Sequence, residues 1–293
     1  MKRTGEVGIG TPTLEQSFPA LFSRSQPAIE KESPLVFAAS LLRFHSVEAA
    51  MILVDETRPM KIGPRVAFVG GYSVLATLQR TKPELSYKEL FAPSERSAIA
   101  VPPIAASRGL SELLAVFQGS RFGFTAITKG EMFAMVGLSD VLPLYEEGVL
   151  GTDLLVRDVA SQPVAVGGHT SVREAMRLMF ERRIRRVFVK GAKAFVSDRE
   201  IVSSIFSPKK LREVRRSPES LLEGDLLDMG PVESVEVEGD MPLKEAAPLL
   251  VRSQGGALTC EAGIVSPWDV VMKPFVAGRL SMERPATGAR ARS

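Results

Sequence analysis

The sequence predicts an α+β protein made of four tandem β-α-β-β-α repeats that pair into two modules. Three observations carry that prediction. First, Gly263-Ile264-Val265-Ser266-Pro267-Trp268-Asp269 reads as a short strand turning sharply into a helix. Ile264 and Val265 favour strands, Ser266 suits an N-cap, and Pro267 suits the first helical turn. Second, the same order returns at Ala194-Phe195-Val196-Ser197-Asp198-Arg199-Glu200, and in weaker form at Ala134–Leu142 and Ala67–Leu75. Third, the spacing is regular: Val69, Val136, Val196 and Val265 lie 67, 60 and 69 residues apart, and Glu174-Ala175 returns as Glu245-Ala246 after 71. A period of roughly 60 to 70 residues is longer than an ordinary solenoid repeat. Units of that size bury little core alone, so pairing is the physical expectation.

Residues 1–28 show no periodicity and read as a tail or loosely docked arm, with Phe18, Leu21 and Phe22 available to pack onto the domain that follows. Repeat one spans 29–90. It opens a helix at Ser33-Pro34, with Leu35, Ala38, Ala39 and Leu42 on one face, and its strands are Ala49–Val54 and Val66–Val69. Repeat two spans 91–149, with a helix over Ser111–Gln118, strands at Phe122–Ile127 and Met132–Val136, and a second helix from Leu138 or Ser139. Repeat three spans 150–216. Thr170-Ser171 caps a helix over Val172–Arg182 whose face is Ala175, Met176, Met179 and Phe180; the strand Val187–Val189 and the turn Lys190–Lys193 follow. Repeat four spans 217–275, with its central strand at Ala257–Cys260. From Pro274 the periodicity fades into a basic tail, 276–293.

Composition narrows the function. The 293 residues are 45% hydrophobic, enough for two full cores, and no apolar run approaches the ~18 residues needed to span a bilayer. The expectation is a cytoplasmic protein without membrane contact. One cysteine, Cys260, and two histidines, His45 and His169, exclude a disulfide framework and argue against a Cys/His zinc site. The absence of asparagine hints at a thermophile. No nucleophile with a partner base, no phosphate-binding Walker loop and no metal-ligand spacing occurs, so neither an enzyme nor a bound cofactor is expected.

The strand-to-helix signature Gly-hydrophobic-hydrophobic-Ser/Thr-x-x-Asp is complete at Gly263–Asp269 and nearly complete at Ala194–Glu200. With Thr170–Ala175 and Ile184–Val189, it resembles the CBS-domain family, named for the regulatory region of cystathionine β-synthase, and is similar to archaeal stand-alone members. The likeness covers about Glu30 to Phe275. It implies two disc-like paired modules whose clefts bind AMP, ADP, ATP or S-adenosylmethionine, with the signature Asp on the ribose hydroxyls and the Ser/Thr near phosphate. Carried over, Ser266 with Asp269 and Ser197 with Glu200 are the nucleotide-binding candidates, Arg186 is a phosphate partner, and Asp140 is the surviving carboxylate of the first half. Physically, a carboxylate accepts two hydroxyl protons and a helix N-terminus favours an anion. The first half departs from the pattern, with Gly70 and Gly137 at the Ser/Thr positions and Ser73 at one Asp position. Repeat four enters its strand as Gly255-Gly256-Ala257, without a basic residue, and Glu200 is one methylene longer than Asp. Binding is therefore expected chiefly in the second pair.

Other readings compete. Ser-x-x-Asp/Glu at a helix start is also a capping box that needs no ligand, which would make the protein a structural scaffold with empty clefts. The cluster Arg182–Arg186 suits a helix C-terminus and a solvated rim. Trp268 reads as a packing residue and the two histidines as surface residues. The basic run Lys209, Lys210, Arg212, Arg215 and Arg216, with the tail arginines Arg279, Arg284, Arg290 and Arg292, leaves nucleic-acid binding as a second class of function. As a regulator, the chain would act on a protein partner in trans, or as a homo-oligomer through its module faces.

Overall fold

Each strand-to-helix signature folds as its residues dictate. In the computed structural model, which describes residues 12–44, 47–80, 87–216, 220–253 and 256–283, the strands Arg65–Gly70, Met132–Gly137, Ala194–Ser197 and Gly263–Val265 run into helices starting at Gly71, Leu138, Asp198 and Pro267. His45, Gly255, Arg284, Arg290 and Arg292 lie outside the described residues, as do the side chains of Arg215 and Arg216.

The two halves share one plan. In the first, Ala28–Glu30 runs parallel to Ala49–Leu53, which pairs antiparallel with Arg65–Gly70; the incoming strand Ile99–Val101 then closes that edge. The third repeat copies this with Ala165–Val166, Arg186–Val189, Ala194–Ser197 and the incoming Val232–Glu233. Repeats two and four are three-stranded: Ile104–Ala105, Phe124–Lys129 and Met132–Gly137; then Val235–Glu236, Leu258–Cys260 and Gly263–Val265.

Strand alternation assigns each side chain to one of two cores. In repeat one, Ala49, Met51, Val66 and Phe68 face the second repeat's Phe124, Ala126 and Met135, and the Phe68 and Phe124 rings stand 5.3 Å apart. Their neighbours Ala50, Ile52, Ala67 and Val69 face the helices. The helical side then joins the halves. One buried cluster unites repeat one (Leu35, Ala38, Val74, Leu78) with repeat three (Val172, Met176, Ile201, Ile205). Another unites repeat two (Leu110, Leu113, Phe117) with repeat four (Leu243, Ala246, Val270, Val271). The halves therefore stack within one chain, with their helices shared. Tyr145 adds a polar tie across that stack, its buried hydroxyl donating to the Val270 carbonyl at 2.8 Å; burial pushes its pKa up.

Both ends of the chain differ from expectation. The arm bypasses repeat one and seats on repeat two. Leu14, Phe18 and Leu21 lie at three- to four-residue spacing, and all three join the cluster of Leu110 and Leu113. Leu14 N donates to Arg108 O at 2.7 Å, and Glu15 pairs with Lys129 at 2.6 Å. At the other end order continues past Pro274. The last helix runs Pro267–Val276 because buried Val270, Val271 and Met272 hold it, despite the hydrogen bond a proline forfeits. Ser281–Met282 then pairs antiparallel with Leu150–Gly151.

Candidate functional site

The four helix starts hold three carboxylates and one hydroxyl. At repeat four, Asp269 is buried and saturated. Its Oδ2 accepts from Ser266 N at 2.9 Å and Ser266 Oγ at 2.6 Å, and its Oδ1 accepts from Ser161 Oγ at 3.1 Å and pairs with Lys273 Nζ at 3.0 Å. Lys273 also donates to Val159 O at 2.5 Å and Ser161 Oγ at 2.8 Å. At repeat three, Ser197 N donates to Glu200 Oε2 at 2.8 Å, and Ser197 Oγ accepts from Arg199 N at 3.1 Å. Glu200 stays half-buried. At repeat two, Gly137 N donates to Asp140 Oδ2 at 2.8 Å, and the guanidinium of Arg24 closes on both carboxylate oxygens. At repeat one, Ser73 substitutes for the carboxylate: its Oγ accepts from Gly70 N and donates to Gly70 O, both at 3.0 Å. All four are helix caps. They differ in what else holds the cap.

The arginine cluster divides. Arg182 and Arg183 are exposed, whereas Arg185 and Arg186 turn inward. Arg186 crosses from repeat three to repeat four, where its Nη2 donates to Gly256 O at 3.1 Å and its guanidinium lies 5.8 Å from the Phe195 ring. Burial and the neighbouring Arg185 push its pKa down. Arg185 reaches the centre of the stack. It pairs with Asp198 at 2.8 Å and with Glu48 of repeat one at 3.6 Å, and those carboxylates outweigh burial and raise its pKa. Asp198 is only 2% exposed and lies at the start of the repeat-one helix. A Cβ on Gly71 would sit 2.9 Å from Asp198 Oδ2, so a glycine there permits the approach.

Beside this centre opens a cleft of about 340 Å³ between repeats one and three. Glu200 and Arg199 line one wall with Ser203, Ser204 and Ser207; Arg43 and Leu42 of the repeat-one helix line the other, and Met229 and Gly230 also line the cleft. The lining offers one carboxylate, two guanidinium groups and three hydroxyls. That set suits a ligand carrying both hydroxyl donors and an anionic group. Asp269 and Arg186 are not among its lining residues.

Residues 156–207 match the family model described as the CBS domain. Over that stretch the chain carries a CBS domain. Its fold is similar to that of protein MJ1225 from Methanocaldococcus jannaschii, at 14% identity, with 88% of this chain and 99% of that one covered and a TM-score of 0.73. CBSX2 from Arabidopsis thaliana, solved in complex with AMP, is similar over 43% of this chain and 99% of its own, at 20% identity and a TM-score of 0.34. No curated protein matches the sequence.

The matched CBS domain contains Ser197, Glu200 and Arg199, hence one wall of the cleft. Its opposite wall was hidden from sequence reading, because Arg43 lies 156 positions before Arg199 and on another repeat. Asp198 and Glu48 were missed for the same reason. Only the acid at the fifth signature position of repeat three, where repeat four has Pro267, sets Asp198 apart. Trp268 is part-buried against the repeat-two and repeat-four cluster, as a packing residue. Among the described residues no three His, Cys, Asp or Glu side chains gather into a metal site, and no helix is long and apolar enough to cross a membrane. Lys210 of the basic helix Pro208–Arg216 pairs with Glu213 at 3.2 Å.

His169 is exposed and hydrogen-bonded to Asp225 at 2.8 Å, and that bond and charge raise its pKa above 6.5. The contact therefore stabilises the fold fully below pH 6.5 and loses its contribution as pH rises through the raised value. An NMR titration is expected to place the His169 midpoint above that of an ordinary histidine, and Asp225→Asn should return it to the ordinary value.

Proposed function

We propose that this CBS-domain protein is a non-enzymatic regulator that binds an adenine nucleotide in the cleft beside Glu200. One observation carries the reading: the repeat matched by the CBS family model also supplies the carboxylate and one guanidinium of the cleft between repeats one and three. The Glu200 carboxylate would accept the ribose hydroxyls, while Arg199 and Arg43 would face the phosphate. Asp269 is the weaker candidate, because a ribose there would have to displace Ser161 and Lys273 from a buried carboxylate.

The position of the cleft suggests how a signal would leave it. Its walls belong to different halves of the stack, so a ligand touching both favours the arrangement in which Arg43 and Arg199 converge. A partner protein that contacts both halves would read that preference.

Calorimetric titration with AMP, ADP, ATP and S-adenosylmethionine tests the reading. Glu200→Gln is the informative variant, since glutamine still serves a capping box while losing the charge and one acceptor oxygen. Affinity is expected to fall about tenfold or more, in line with ~1.5–3 kcal/mol for hydrogen bonds to a charged group. Unchanged affinity in Glu200→Gln, with loss in Asp269→Asn, would move the site to repeat four.

A further inference from the structure

We infer that the N-terminal arm is a built-in plug for the cleft of the first pair, with the Arg24 guanidinium occupying the carboxylate that a ligand would need. The inference rests on the reading of Asp140 as a ligand carboxylate. It adds that the protein itself holds that carboxylate shut.

The geometry of the arm is specific. Arg24 is 116 residues from Asp140 in sequence, yet its Nη1 and Nη2 engage Oδ1 and Oδ2, with 3.1 Å for the second contact. Nη2 also donates to Met135 O at 2.8 Å, which fixes the guanidinium against the strand that leads into the cap. Gln26 locks the next step of the arm. Its Oε1 accepts from Met135 N at 2.8 Å, and its Nε2 donates to Leu21 O at 2.6 Å. A bidentate arginine–carboxylate pair is the strongest form of such a contact and matches the acceptor geometry that paired hydroxyls would use. The remaining cleft, lined by Arg24, Val47, Glu48, Ser139 and Asp140, measures about 180 Å³. Small-molecule sites usually start near ~300 Å³, so a ligand of nucleotide size would enter only if Arg24 left.

The equivalent position in the second pair shows why this differs from ordinary packing. There the segment leading into the module is bound backbone to backbone, Ser161 N to Ile264 O at 2.8 Å and Ile264 N to Ser161 O at 2.9 Å, and the Ser161 hydroxyl donates to Asp269. In the first pair the corresponding segment holds Met135 through the side chains of Gln26 and Arg24. The Arg24 side chain keeps 41% of its exposure, so solvent reaches it. The apolar anchors Leu14, Phe18 and Leu21 sit upstream and would keep the arm tethered while Arg24 swings out.

The test is a pair of calorimetric titrations of the full chain with AMP, wild type against Arg24→Ala, with thermal melts to verify folding. Arg24→Ala is expected to bind one more AMP per chain than the wild type, or to bind AMP at that site at least about tenfold more tightly, as removal of a closed state requires. The gain should vanish in Arg24→Ala/Asp140→Asn, and Arg24→Lys, which keeps the cation, should show less of it than Arg24→Ala. An equal number of sites and equal affinities in wild type and Arg24→Ala, zero included, would overturn the plug. Failure of the reading at Glu200 is separable: a wild type that binds nothing beside an Arg24→Ala protein that binds one AMP would refute nucleotide binding at Glu200 and sustain the plug.

Discussion

Replacing Asp198 with alanine is expected to lower stability by about 3 kcal/mol, because it leaves the inward-facing Arg185 with only the longer contact to Glu48. The figure sits at the low end for a broken buried pair, since Arg185 keeps about a third of its exposure. The loss should concentrate where repeats one and three meet, because Asp198 lies against the start of the Gly71–Arg80 helix and Arg185 reaches across to Glu48. Urea denaturation measures the total, and hydrogen exchange in the helices Gly71–Arg80 and Asp198–Ile205 locates it. The double change Asp198→Ala/Arg185→Met removes both charges and should recover most of the deficit, since hydrophobic replacement of an ion pair is often neutral. If the double variant were as unstable as the single one, the charge account of the stack centre would be wrong.

A comparable effect is expected at Gly263. Its φ of +138° lies in the region open to glycine, and a Cβ there would stand 2.3 Å from the Ser161 carbonyl oxygen. That carbonyl accepts from Ile264 N at 2.9 Å, and Ser161 also caps Asp269. Gly263→Val therefore combines backbone strain with separation of the segment at Ser161 from the last strand, for a loss of about 3 kcal/mol or more. Gly191, with φ of +81° and open space around it, is the control. Gly191→Ala is expected to cost about 1 kcal/mol, from the backbone conformation alone. Equal losses at the two positions would show that contact with Ser161 contributes nothing.

The sequence made the repeat legible because its signals are local. Strand formers followed by a capping serine and an acid three residues on are read within one turn of helix, and Ser197 and Ser266 cap where that pattern places them. The helix Val172–Arg182 was readable to the residue, since Ser171 and the apolar face fix both its start and its orientation. What local signals lack is knowledge of partners. Nothing near Asp140 announces Arg24, and nothing near Asp269 announces Ser161, so related helix starts arrive at carboxylates with different partners. The arm illustrates the same limit. Leu14, Phe18 and Leu21 declare that they need an apolar surface, yet the surface they take belongs to the second repeat. Likewise the cleft beside Glu200 forms only when the halves stack, because Arg43 and Arg199 come from different repeats.

That stacking makes Glu200 the pivot of the account. Its carboxylate caps a helix, lines the cleft between the halves, and belongs to the residues that match the CBS family. A crystal structure of the full chain grown with saturating AMP tests this most directly. The account predicts ribose hydroxyls within hydrogen-bonding distance of Glu200 and a phosphate facing Arg199 and Arg43. AMP seated instead on Asp269, with Lys273 displaced and the cleft beside Glu200 empty, would contradict it.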